Sequence, residues 1–238
     1  MGKIFVIMGK TSSGKDTISE HLLEHWIPKK TGQEKLKTVV TYTTRPMRPN
    51  EKEGVQYFFV TQERLSELRE QGKVIEERCY HTVHGPWFYF TVDDDQIDLE
   101  NHNYLMTNTL AGYEMIDSYY NKGMPKEGNE ALLSMDGQVE QKNKIVVPIY
   151  IEAEAKDRLL RYIHRESLQE NPNYSEVCRR FLADEADFAE EELQRLGITK
   201  RYYNQDLEAC CQEIEEDIEK WLSEEMDGTQ PLPASERG

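Results

Sequence analysis

The stretch KIFVIMGKTSSGKDTISEHLLEHWI, Lys3 to Ile27, decides the fold. Its apolar start, Lys3 to Met8, reads as a short buried strand, and Ile18, Leu22, Leu23 and Trp26 then recur at helical spacing until Pro28 stops the pattern. Between them lies GKTSSGKDT, Gly9 to Thr17. Gly9 and Gly14 frame Lys10, Thr11, Ser12 and Ser13, and a helix opening at Lys15 turns its unpaired N–H groups back on the loop. Successive backbone donors at a helix start form a concave anion site, to which Lys15 adds a point charge suited to the β- and γ-phosphates of a nucleotide. The strand before and the helix after separate this motif from an ordinary Gly/Ser turn with a surface lysine. Asp16 is irregular, because a hydroxyl that meets Mg²⁺ usually stands there; Thr17 offers one a place later. Two readings stand for Asp16: a cap on the first turn, where negative charge suits the helix dipole, or a hard oxygen ligand for Mg²⁺.

Working outward, KTVVTYTT (37–44) reads as a second strand and GVQYFFV (54–60) as a third. Thr61 caps an amphipathic helix that Gly72 ends, and the aromatic stretch EERCYHTVHGPWFYFTV (76–92) has β composition. NYLMTNT and NKIVVPIYIEA look like buried parallel strands, each followed by a helix, LAGYEMIDSYYN and EAKDRLLRYIHRE. A long acidic helix is expected from Glu176 to about Leu196, then a short RYYN and a last helix from near Asp206. Strands alternating with helices mean a parallel sheet covered on both faces. The expected fold is therefore α/β, three layers around a parallel sheet, with a β-rich insertion at 45–92.

With 238 residues, 37% of them hydrophobic, the chain can build one substantial core. No run approaches the ~18 apolar residues of a membrane span, and IFVIM is too short for a signal peptide, so a cytoplasmic protein is expected. The formal net charge of -16 disfavours nucleic acid or an anionic membrane as the main partner, because most of the surface repels a polyanion. The acidic runs DEADFAEEELQ and CCQEIEEDIEKWLSEEMDG read as solvated helix faces. Cys79, Cys178, Cys210 and Cys211 lack CxxC spacing and read as reduced thiols.

In so acidic a chain, TYTTRPMRPNEKEGVQYFFV (41–60) stands out. Pro46 and Pro49 stiffen the turn so that Arg45 and Arg48 converge on one anion, with the Tyr57 hydroxyl beside them. The chain here resembles the guanylate kinases, which pair such a loop with S-x-T-T-R-x-x-R-x-x-E-x-x-G-x-x-Y-x-F-V. Thr41, Thr43, Thr44, Arg45, Arg48, Glu51, Gly54, Tyr57, Phe59 and Val60 stand in those places.

The resemblance runs from about Lys3 to Trp221. It implies a P-loop NTPase fold over 1–226, with core segments 1–44, 93–160 and 180–226, a GMP-binding lobe at 45–92 and a helical lid at 161–179. Residues 227–238 are expected to be a disordered tail. The implied activity is transfer of the γ-phosphoryl group of ATP, with Mg²⁺, to GMP or dGMP. Thr41, Arg45, Arg48 and Tyr57 are then the GMP-phosphate residues, and Glu76 the reader of the guanine N1 and N2 donors. ATP falls to Gly9, Thr11, Ser12, Ser13, Gly14, Lys15, Asp16, Thr17 and Asn204, with Asp16 and Thr17 toward the metal. Lys15 and the lid arginines Arg161, Arg165 and Arg180 carry catalysis, and Arg158 shares the helical face of Arg161 and Arg165.

The match departs from the family at LDIDxQG, which here reads MTNTLAG. Thr107 and Thr109 stand at carboxylate positions and Ala111 at the glutamine. YYGT becomes WFYFT, leaving Tyr89 the candidate for the second phosphate-binding tyrosine. These departures keep two other readings open: a kinase for a different monophosphate, or a catalytically weak module that binds a phosphorylated peptide in the GMP lobe.

Overall fold

In the computed structural model, residues 1–28, 34–82, 85–121 and 144–223 are described. Strand β1 (Ile4–Met8) sits in the middle of a five-stranded parallel sheet, between β7 (Tyr104–Thr107) and β8 (Val146–Glu152). Short strands β2 (Lys37–Thr38) and β9 (Tyr202–Tyr203) close the edges, giving the order β2-β7-β1-β8-β9. Period-2 alternation splits its side chains between two cores. Ile4, Val6 and Met8 join Tyr104, Met106 and Val146 on one face, against helix α3 (Leu110–Tyr120) through Leu110, Tyr113 and Ile116. Phe5 and Ile7 join Leu105, Val147 and Ile149 on the other, under α1 (Lys15–His25) and α7 (Leu207–Ser223). The result is the three-layer α/β arrangement expected from the strand–helix alternation. No described helix is long and apolar enough to cross a membrane.

A second, four-stranded sheet stands beside the first, in the order β4-β3-β6-β5. It comprises β3 (Tyr42–Thr43), β4 (Phe58–Phe59), β5 (Val74–Thr82) and β6 (Gly85–Val92). Phe90 and Val92 pack with Leu65 and Leu68 of helix α2 (Gln62–Glu70). The alternate residues Tyr89 and Thr91 therefore point to the opposite face. Helix α2 is capped as expected, with the Thr61 hydroxyl accepting from Arg64 N and Gly72 at φ 68 just past its end.

Several local expectations need correction. KTVVTYTT is not one strand: Lys37–Thr38 pairs with β7 in the large sheet and Tyr42–Thr43 with β4 and β6 in the small one. Of GVQYFFV only Phe58–Phe59 is strand. The acidic helix is two, α5 (Tyr174–Asp187) and α6 (Glu190–Arg195), because Phe188 leaves the helix to bury its ring against Tyr150. Helix α4 (Ala155–Ser167) and α5 together form the hairpin that contains the expected lid. The expected tail at 227–238 lies outside the described residues.

Candidate active site

The loop Gly9–Thr17 joins β1 to α1 with Ser12 at φ 62 and Gly14 at φ 95. A side chain at Gly14 would be strained by that φ, and its Cβ would also lie 2.1 Å from Asn204 Nδ2. Asn204, buried at the end of β9, donates from Nδ2 to Ser13 O at 2.8 Å and so fixes the loop from outside. Ser13 is buried, and its Oγ has no hydrogen-bond partner among the described residues. Lys15 is part-exposed, its Nζ 3.6 Å from Asp16 Oδ2, and Asp16 and Thr17 are exposed in the first turn of α1.

The other flank of the loop holds residues that sequence reasoning missed. Asp184 of α5 accepts from Thr11 N at 2.5 Å, and Glu185 accepts from Lys10 Nζ at 2.5 Å and from Arg158. Burial raises the Glu185 carboxyl, but Lys10 and Arg158 more than reverse this, and it ends below the usual carboxylate value. Asp184 and Glu185 thus correct the reading of DEADFAEEELQ as a solvated face. Arg158, on the helical face of Arg161 and Arg165, is only 2% exposed, stacked on Phe181 and reaching Thr11 O. A cavity of about 290 Å³ adjoins this cluster, lined by Lys10, Arg158, Glu185, Tyr203 and Gln205 among others.

On the small sheet the RPMRPNE turn is pinned from within. Glu51 takes a bidentate pair from Arg45, Nη1 at 2.9 Å and Nη2 at 2.7 Å, and accepts from Arg48 N at 2.8 Å. Arg45 also donates from Nη1 to Pro46 O and from Nε to the Tyr89 hydroxyl at 3.2 Å, and its guanidinium lies near the rings of Tyr57 and Phe59. Arg45 with the Arg48 N–H holds the Glu51 carboxyl down at about 2. Burial raises the Tyr57 phenol, so it stays a donor at neutral pH. Tyr89 is therefore the second tyrosine at this turn; its register was legible in principle from the alternation with Phe88 and Phe90. Arg48 is exposed and Thr41 half-buried at the strand edge.

Glu76 lies where β5 bulges, fully buried. It accepts from Thr91 Oγ1 at 2.9 Å, from Arg78 and from Asn108 Nδ2 at 3.4 Å. The last contact ties the small sheet to the large one. Of the residues replacing the family's carboxylates, Thr109 caps α3, accepting from Gly112 N at 3.2 Å, and Thr107 ends β7. Asn108 fills the space in front of Gly112, where a Cβ would come within 2.1 Å of its Oδ1.

The lid residues are less gathered. Arg161 donates to Asn204 O at 3.4 Å and so reaches the loop's neighbour. Arg165 stacks on Tyr162 of its own helix, and Arg180 pairs with Glu176 at 2.8 Å.

The family model described as guanylate kinase matches residues 1–94. A guanylate kinase of Mesomycoplasma hyopneumoniae (strain 7448) is 26% identical over 223 residues, which cover 92% of this chain and 95% of the relative. That of Thermotoga maritima is 29% identical over 168 residues, 67% of this chain and 64% of the relative. The chain is thus similar to the guanylate kinases, and its family-model match lies within the first 94 residues. Resemblance to individual guanylate kinases is uneven: that of Mycoplasma genitalium reaches 39% identity, but over 80 residues, 34% of this chain. Against such higher-identity relatives the chain spans about a third of their length (31%, 38% and 37%). The crystal structure of guanylate kinase from Anaplasma phagocytophilum superposes with a TM-score of 0.55 at 19% identity, covering 92% of this chain and 85% of that chain, and shares the P-loop NTPase fold.

Proposed function

We propose that the protein transfers the γ-phosphoryl group of ATP to GMP or dGMP. The observation that carries this reading is the presence of two phosphate grips of different build. One is an intact loop with a buried, unpartnered Ser13 Oγ and left-handed Gly14; the other is a braced Arg45 with Tyr57 and Tyr89 hydroxyls beside it. A module that only binds phosphopeptide has no use for the first. The division into core, GMP lobe at 45–92 and lid at 161–179 belongs to the same proposal.

Phosphoryl transfer asks for positioning and charge neutralisation more than covalent chemistry. Backbone donors of the loop and of the first turn of α1 hold the ATP phosphates with Lys15, Thr11 N–H once Asp184 releases it, and Asn204 keeps the loop shaped. Thr41, Arg45, Arg48 and Tyr57 hold the acceptor's phosphate, and Glu76 marks the base end of the cleft. Arg161 already lies beside Asn204; Arg165 and Arg180 reach phosphate only by leaving Tyr162 and Glu176. Mg²⁺ fits this donor set, because it takes one or two protein oxygens plus substrate phosphates, and Asp16 and Thr17 stand exposed beside Lys15. Bound with ATP, it supplies further neutralisation of the phosphate charge.

A coupled ADP-release assay with GMP, dGMP, AMP, UMP, CMP and dTMP tests the reading. GMP or dGMP is expected to give the highest turnover. No turnover with any of them, together with phosphopeptide binding, overturns it.

A further inference from the structure

Glu76 is the carboxylate expected to read a guanine base, yet its oxygens are already engaged. Oε1 accepts from Thr91 Oγ1 at 2.9 Å, Arg78 Nη2 at 3.2 Å and Asn108 Nδ2 at 3.4 Å, and Oε2 accepts from Arg78 Nε at 3.1 Å. Each carboxylate oxygen offers about two lone pairs, so Oε1 is filled and Oε2 carries one bond, to Arg78. Its side chain is 0% exposed, whereas that of Arg78 is 19% exposed. What a base entering this end of the cleft meets is the guanidinium.

Arg78 has five N–H donors and gives two to Glu76; among the described residues it makes no other hydrogen bond. It stands opposite Tyr89 across the β5–β6 pair, on the face that carries the Arg45 partner hydroxyl. A guanidinium only donates, so it suits a base edge made of acceptors. The O6 and N7 of a 6-oxopurine form such an edge, while adenine sets an amino donor in place of O6.

We propose that Arg78, braced by Glu76, selects the base, and that the acceptor class is 6-oxopurine monophosphates, hypoxanthine as well as guanine. Glu76 then acts through Arg78: it holds the fork in place and leaves the 2-amino group unread. This rests on the kinase reading above.

The test compares kcat/KM for GMP, IMP and AMP, with saturating ATP, for the full chain and its Arg78→Met and Arg78→Lys variants. For the unaltered chain IMP should fall within about 10-fold of GMP, and AMP about 100-fold or more below, as bidentate base readout gives. Arg78→Met should lose GMP and IMP by roughly 10- to 100-fold and leave AMP unchanged, with Arg78→Lys intermediate. The proposal is overturned if the unaltered chain rejects IMP by about 100-fold or more, which makes Glu76 a direct reader of N1 and N2. It is also overturned if Arg78→Met keeps the GMP/AMP ratio, including the case where all three substrates suffer alike. The GMP/IMP ratio of the unaltered chain needs no variant to fold. Absence of GMP turnover in the unaltered chain overturns the kinase reading and this one with it; turnover with an unchanged variant overturns this one alone.

Discussion

The two phosphate grips are made of different material. At Gly9–Thr17 the donors are main-chain N–H groups, set by the φ of Ser12 and Gly14 and by one bond from Asn204. At Arg45 they are side-chain N–H groups, already neutralised by Glu51. The backbone site is set by the fold of its own loop, and of its donors Thr11 N–H is held by Asp184 until an anion takes its place. A side-chain site with an internal counter-ion keeps its shape without ligand, but an incoming phosphate must share the guanidinium with Glu51. Mutations should therefore act on the two ends in different ways.

The largest effect should come from Lys15→Ala. Turnover should fall by about 100-fold or more, as when a charge-stabilising donor is removed, while calorimetric GMP affinity and Tm barely change. An equal loss of GMP affinity would merge the two sites that are distinguished here. Next is Arg45→Ala, which should weaken GMP binding and also cost about 2 kcal/mol of stability, less than a fully buried pair because Glu51 keeps some exposure. Urea unfolding measures that cost. The double variant Arg45→Met/Glu51→Gln should recover stability without recovering binding; recovery of both would show that Arg45 holds no phosphate.

Asn204→Ala should cost about 1 kcal/mol, the worth of one buried hydrogen bond, and raise KM for ATP but not for GMP. The smallest effect concerns pH. Glu51 ordinarily titrates at 4.5 and is held at about 2 in the fold. A depressed carboxyl contributes stability that is fully present above 4.5 and fades as pH falls toward 2. The stability gap between the unaltered chain and Glu51→Gln should thus narrow from pH 6 to pH 3. A gap that widens with acid would mean Arg45 does not hold Glu51 ionised.

The same contrast explains what was legible in the sequence. The loop and the helices α1, α3, α4 and α7 follow from glycine spacing and helical periodicity, both local signals. Arg45 and Glu51 sit close enough along the chain for a motif to join them. Asp184 and Glu185 were hidden, because an acidic run carries no mark of which turn faces inward; only the docking of α5 beside the loop decides it. KTVVTYTT was hidden likewise, since its division between two sheets depends on β7 and β6 as partners. Thr109 could have been read as a helix cap, but its place in a carboxylate motif drew attention to what was missing.

The central claim is that the loop and the Arg45 turn serve one cleft. Calorimetric binding of adenosine and guanosine joined 5′ to 5′ through five phosphates tests it most directly. If both grips face one cleft, this ligand should bind roughly 100-fold or more tighter than ATP or GMP alone, by the effective concentration of a linked pair, and both Lys15→Ala and Arg45→Ala should weaken it. Binding no tighter than ATP, unaffected by Arg45→Ala, would contradict the account.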